Sequence, residues 1–187
     1  MPVEKGHVDP ASGDDPLPST PLRLVTLEVE SHVATDGWDQ PPRLYALVPT
    51  AHLVEVEPSL AERLTAHLEA QPDGFTSIEQ DQLPPDRPIE ELLGGIEWPD
   101  AVAGCAVVVE RVMLPPEVEE DIPEDEDELM TFVSEHPDRR EVRLVAAVNR
   151  DGERHSAVRA RHPEDAPLLE GPDLVPGLLD LLTKTLT

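Results

Sequence analysis

The sequence predicts one α+β domain, an antiparallel β-sheet with helices packed mainly on one face and with N- and C-terminal helices. Three observations predict it. Val107-Val108-Val109 lies at the centre of the longest apolar run. Arg150-Asp151-Gly152 separates two alternating segments, and Asp-Gly tolerates the positive φ of a tight hairpin. Apolar residues at helical spacing recur near residue 25 and again near residue 180.

Residues 1–19 read as a disordered leader, rich in Pro, Gly, Ser and Asp and without periodicity. Leu22, Val25, Val29 and Val33 then form a helical stripe, although Val25, Leu27 and Val29 would also suit a strand. The ends decide for a helix over 21–36: Thr20 is a good N-cap, Pro21 suits the first helical position and Gly37 is a good stop. Pro41-Pro42 ends helical possibilities, and Arg43 to Val48 alternates as a strand. Thr50 is placed to cap a short helix reaching Val56, and Pro58 starts another through Leu60, Leu64 and Leu68.

Residues 75–82 suit a short strand and residues 86–94 a helical turn or two, with Ile89, Leu92 and Leu93 inward. Residues 101–114 give the strongest strand, whose continuous β-branched run implies burial on both faces. Pro115-Pro116 stops it. Residues 141–149 and 153–161 form the hairpin. Asp173 is placed to cap a final helix with Leu174, Leu178, Leu181 and Leu182 on its apolar side. The domain therefore spans 20–187, with an acidic insert over 115–138.

Forty acidic residues face 14 basic ones, a net charge of −26. That charge discourages binding to nucleic acid or to anionic membrane. The one cysteine, Cys105, excludes an intrachain disulfide and agrees with a reducing cytoplasm. No signal-peptide core and no run of the ~18 apolar residues of a membrane span is found. Nine of the twelve residues from Glu117 to Glu128 are acidic, with no base among them. Such a block reads as a solvated loop. With Pro123 mid-run and no Gly, it lacks the turn of an EF-hand calcium loop.

Catalytic and cofactor motifs do not emerge. Gly94-Gly95 is followed by Ile96-Glu97 rather than by the Lys and Ser or Thr of a phosphate loop. No two of the seven histidines share the i, i+4 spacing of a helical metal site. Cys105, inside the most apolar strand, reads as a small hydrophobe. Hence no cofactor, metal or catalytic residue is expected. The only tryptophans each lie beside an Asp and a Pro, just before a strand: Trp38-Asp39 and Trp98-Pro99-Asp100. Either indole can simply seal the core edge. The sharper reading is a binding surface built from Trp38, Asp39, Gln40, Arg43, Trp98 and Asp100, since Trp and Arg are favoured interface anchors.

The segment Gly37-Trp38-Asp39-Gln40-Pro41-Pro42-Arg43-Leu44-Tyr45-Ala46-Leu47-Val48 resembles the signature of a family of acidic, uncharacterised actinobacterial proteins. So do Trp98 to Ala106, Val109-Glu110-Arg111 and the closing Gly171-Pro172-Asp173-Leu174-Val175-Pro176-Gly177-Leu178. The resemblance covers nearly all of the chain after residue 20. It implies a cytoplasmic protein and carries over no activity and no catalytic residue. More loosely, the element order is similar to the type III secretion chaperone-like and YbjN-like folds, which often dimerise and bind other proteins; fold alone does not fix function.

The expectation is a non-enzymatic protein-binding module, chaperone- or adaptor-like, with a protein or peptide partner and with homodimerisation open. Two alternatives stand beside it. One is a small-ligand sensor or enzyme with a site of scattered residues such as Asp39, Arg43 and Arg111. The other is an acidic nucleic-acid mimic, although the acids are clustered rather than spaced like phosphates.

Overall fold

The computed structural model describes residues 16–187. The expected leader over 1–19 lies outside the described residues except for 16–19, which have no regular structure. The elements in order are α1 (Pro21–Ala34), β1 (Arg43–Pro49), α2 (Thr50–Val56), a 3₁₀ turn (Pro58–Leu60), α3 (Ala61–Ala70), β2 (Phe75–Glu79), α4 (Ile89–Leu93), β3 (Gly104–Met113), a 3₁₀ stretch (Pro116–Asp121), α5 (Glu126–Glu135), β4 (Arg140–Asn149), β5 (Arg154–Ala160), β6 (Leu169–Gly171) and α6 (Pro176–Thr185). The strands form one sheet in the order β2-β1-β3-β4-β5-β6, and every neighbouring pair is antiparallel.

α1 starts as its sequence dictates. The Thr20 hydroxyl accepts from the Arg23 backbone N–H at 3.2 Å, satisfying one of the free donors of the first turn. Gly37, just beyond the helix, takes φ 78°, a conformation open to glycine without steric cost. Leu22, Val25, Val29 and Val33 are buried. They pack on Tyr45, Leu47, Ala106, Val108, Val145, Ala147 and Ala157, one face of the central strands. The opposite face carries Leu44, Val107, Val109, Leu144, Ala146 and Val148, covered by Leu179, Leu182 and Leu186 at the C-terminus and by Ile89 and Leu93 of α4.

The antiparallel α+β architecture with a helix at each end is as expected, but the helices are not gathered mainly on one face. The reason lies in β1, β3 and β4, whose successive side chains are buried on both sides. An antiparallel strand without a polar face needs cover above and below, so α1 takes one side and α4 with α6 the other.

Other departures are local. Thr50 is the first residue of α2 rather than its cap; its hydroxyl lies 2.9 Å from that of Thr76 and joins the helix to β2. Asp173 does not cap α6, which begins at Pro176 after Val175. The chain first makes β6 on the edge of the sheet, pairing Gly171 with Ser156. The acidic insert is not a plain loop. The Asp125 carboxylate accepts from the N–H groups of Asp127 and Glu128, each at 3.1 Å, and α5 follows. Glu126, Asp127 and Glu128 in its first turn sit where the helix dipole favours negative charge. No residue of α5 is fully buried.

Candidate functional site

The loop between α1 and β1 is held by charge. Asp39 adopts φ 64°, a left-handed conformation that Asp tolerates better than most residues. Its carboxylate accepts two bonds from Arg161, each of 3.0 Å. That bidentate pairing holds the Asp39 carboxyl below its usual range, chiefly through the Arg161 hydrogen bonds. Glu110 of β3 accepts from the Asp39 N–H at 2.9 Å and from the Gln40 N–H at 3.2 Å. Arg143 of β4, only 1% exposed, donates to the Gly37 carbonyl and reaches Glu110 at 3.4 Å. Its guanidinium lies 4.4 Å from the Trp38 ring centroid and that of Arg161 lies 5.6 Å away, so the indole rests on two cations. Arg43 joins the corner through Asp36 at 2.8 Å and Gln40 at 3.3 Å. Trp38, Asp39, Gln40 and Arg43 therefore come together in one ion-paired corner, where a pocket of about 110 Å³ is lined by Trp38, Asp39, Glu110, Arg111, Val112, Glu141 and Arg161.

Trp98 and Asp100 are elsewhere. β1 and β3 are antiparallel neighbours, with Arg43 opposite Val108 and Leu47 opposite Gly104, so their two approach loops lie at opposite ends of the sheet. The Trp98 indole N–H donates to the Thr185 hydroxyl at 3.0 Å, and the ring packs against two apolar clusters on the sheet face that α6 covers. Arg150 gathers the carbonyls of Val102 (2.8 Å), Trp98 (3.1 Å), Pro99 (3.2 Å) and Leu186, tying the loop to the end of α6. Asp100 is exposed. Cys105 is fully buried beneath this cluster, and burial pushes its thiol up to about 11. In the native protein Cys105 is therefore expected to resist a thiol reagent at pH 8 and to react at once in denaturant. Rapid native labelling, followed by absorbance, would contradict that placement.

Two further ion networks tie α1 to the far edge of the sheet. Glu30, 3% exposed, is paired in a bidentate manner with Arg159. Glu170 of β6 accepts from Arg23 at 2.6 and 3.0 Å and lies 2.9 Å from His155 Nε2. The Arg23 hydrogen bonds hold the Glu170 carboxyl below its ordinary value of 4.5. A depressed carboxylate contributes stability that is present above its unfolded pKa and lost as pH falls through the folded one. Glu170→Gln is thus expected to be less stable than wild type at pH 7, with the difference closing as pH falls toward about 2. Urea unfolding at both pH values measures it, and a gap that persists in acid would contradict the assignment.

A larger, apolar opening lies elsewhere again. Val142 faces Arg111 and Ala160 across the ladder, Met113 faces Arg140, and Val158 faces Leu144 and Leu169. All share the face that α6 covers further along. Past the helix this face opens as a groove of about 610 Å³ lined by Met113, Leu114, Val142, Val158, Leu169 and Leu174 among others. Met113 is 46% exposed, Leu174 45% and Leu169 60%, so solvent meets a contiguous apolar surface. Among the described residues, Arg140 and Glu117 are its only charged lining residues. The acidic insert departs from the sheet at its rim, where Leu114, Pro115 and Glu117 line one end.

A family model described as PPA1309-like protein matches residues 22–187. The chain belongs to the PPA1309-like protein family. The match spans both tryptophan corners and the groove, which fits the resemblance to an uncharacterised family. No curated protein and no solved structure matches the chain. Among the described residues of this PPA1309-like chain, no group of three or more His, Cys, Asp or Glu is placed to hold a metal ion. No described helix is long and apolar enough to cross a membrane. Sequence reasoning drew attention to the tryptophans and missed the groove. Its one signal was weak: Leu169 is an apolar residue in a Pro-, Gly- and Asp-rich stretch, and Leu174, expected on the apolar side of the final helix, lies before α6 begins at Pro176.

Proposed function

We propose that this chain is a non-enzymatic protein-binding module of the bacterial cytoplasm, adaptor- or chaperone-like, whose partner seats in the groove beside β6. The observation that carries the reading is the apolar sheet face left open past α6, with Met113, Leu169 and Leu174 in solvent. Large apolar surface rimmed by polar residues is characteristic of protein contacts. Among the described residues the groove has no convergent polar groups of the kind that orient a small molecule, and its lining is aliphatic apart from Glu117 and Arg140. The loose likeness of the element order read from the sequence to type III secretion chaperone-like folds supports the reading by analogy only.

The test is a photo-crosslinking amino acid placed at the exposed Leu169, with one at exposed Glu62 on α3 as the reference. Irradiation in native lysate is expected to give a discrete adduct at 169 that is lost with Met113→Asn and absent at 62. Equal products at both positions, or none at 169, would overturn it.

The runner-up is a small-ligand sensor at the Trp38 corner, where Asp39 and Arg111 line one pocket with Arg43 nearby. At about 110 Å³ the pocket is well below the ~300–1,000 Å³ of ordinary ligand sites. A metabolite screen by thermal shift separates the readings, since a ligand at a hundred times its Kd adds roughly 2.7 kcal/mol of stability.

A further inference from the structure

We infer that the groove takes a basic amphipathic segment of another protein, its apolar side chains on the open sheet face and its Lys or Arg residues toward the acidic insert. This rests on the groove being the binding surface and goes on to name the chemistry of the occupant. Charge complementarity selects it. The floor is aliphatic: Val142, Val158, Leu169 and Leu174 offer no hydrogen bonds, so the seated face must be apolar. Within the lining Glu117 and Arg140 offset each other, and the insert that starts at the rim supplies the excess negative charge. The chain leaves the groove at Leu114 and Pro115 and runs into nine acids within twelve residues, returning to the sheet at Arg140. Asp125 fixes the start of α5, so part of that charge is carried on a helix rather than on free chain.

A second copy is disfavoured by the same charge. Each chain carries a net −26, and a dimer formed through this groove would bring two acidic inserts toward one interface. An acidic or neutral apolar segment would fill the floor but gain nothing at the rim. A basic one gains both the burial and an electrostatic acceleration of association that falls with salt. The basic amphipathic helix is a common form of such a ligand.

The experiment uses the full chain and three synthetic 18-residue helical peptides that share one leucine stripe and carry Lys, Glu or Gln on the polar face. Binding is followed by fluorescence anisotropy in about 0.15 M salt. The Lys peptide is expected to bind at least tenfold more tightly than the Gln peptide, with the Glu peptide weaker still. Met113→Asn with Leu169→Asn is expected to weaken the Lys peptide at least tenfold, both sites being exposed enough to leave the fold intact by circular dichroism. Neutralising Asp121, Glu124 and Glu126 is expected to remove the Lys preference and leave binding of the Gln peptide unchanged.

Equal binding of all three peptides, lost in the groove double variant, would overturn the basic partner and leave the groove as a binding surface. Lys-peptide binding indifferent to the groove double variant would mean surface charge alone and overturn both. A Leu169-dependent dimer by sedimentation would overturn the inference in favour of a second copy. Absence of binding by every peptide, together with no adduct at position 169, would overturn both.

Discussion

Glu110→Gln is expected to lower the unfolding free energy by about 3–5 kcal/mol, the range for breaking a buried ion pair from one side. Arg143 is 1% exposed and sits beneath Trp38. Without Glu110 its guanidinium keeps the Gly37 carbonyl and the indole face but no anion in contact. The same carboxylate accepts from the backbone of Asp39 and Gln40 through its other oxygen, so a Gln that keeps those two bonds turns its NH2 toward the Arg143 guanidinium, donor against donor. Arg143→Met is expected to cost less: it removes the buried charge and keeps an apolar chain under the ring, while Glu110, 19% exposed, retains its two backbone donors. Urea unfolding of both variants, with tryptophan emission as one probe, measures the difference. A smaller loss for Glu110→Gln than for Arg143→Met would contradict this view of the corner.

Gly104→Ala is expected to destabilise by roughly 1–3 kcal/mol or more, the usual cost of overpacking. A Cβ at residue 104 would stand 2.5 Å from the Val148 carbonyl oxygen and 3.3 Å from the Asn149 Cα. Both are backbone atoms of the neighbouring central strand, and neither can swing aside. Gly177 in the first turn of α6 is the matched control. A Cβ there meets nothing within 4 Å, so Gly177→Ala is expected to be neutral or to stabilise by up to about 1 kcal/mol through helix propensity. The pair compares the same change at a tight and an open position. A loss at 104 no greater than at 177 would mean that β3 and β4 do not approach as closely as described.

Much of the fold was legible because local signals agreed with the long-range arrangement. Thr20, Pro21 and Gly37 bound α1 on their own chemistry, and Asp151-Gly152 sets the β4–β5 hairpin. The β-branched run at 107–109 implied burial on both faces and so foretold helices on both, which the one-face arrangement drawn from element order overlooked. α5 was legible but overridden by its charge. An Asp cap followed by Leu129, Phe132 and Val133 at helical spacing was present within and after the acidic block. β6 is three residues long and carries no pattern of its own; Ser156 and Val158 make it a strand by offering an edge.

The tryptophan corners show the limit most plainly. That Trp38, Asp39, Gln40 and Arg43 would meet followed from adjacency. That Trp98 would lie at the opposite end required the β1–β3 pairing, which the sequence does not state. The partners that hold the corner, Glu110, Arg143 and Arg161, lie 70 to 122 residues from the loop that they bind. Ion pairs over such separations leave no spacing to read. The groove is harder still, because it consists of sheet that no helix covers, and an uncovered strand face resembles a covered one in sequence.

Methyl-resolved NMR of the full chain, titrated with the leucine–lysine peptide, tests the binding surface most directly. The expected result is chemical-shift change concentrated on the methyl groups of Met113, Val142, Val158, Leu169 and Leu174, with the Trp38 indole signal unmoved. Shifts centred on Trp38, or spread over the acidic surface without the groove methyls, would contradict a binding site on the open face of the sheet.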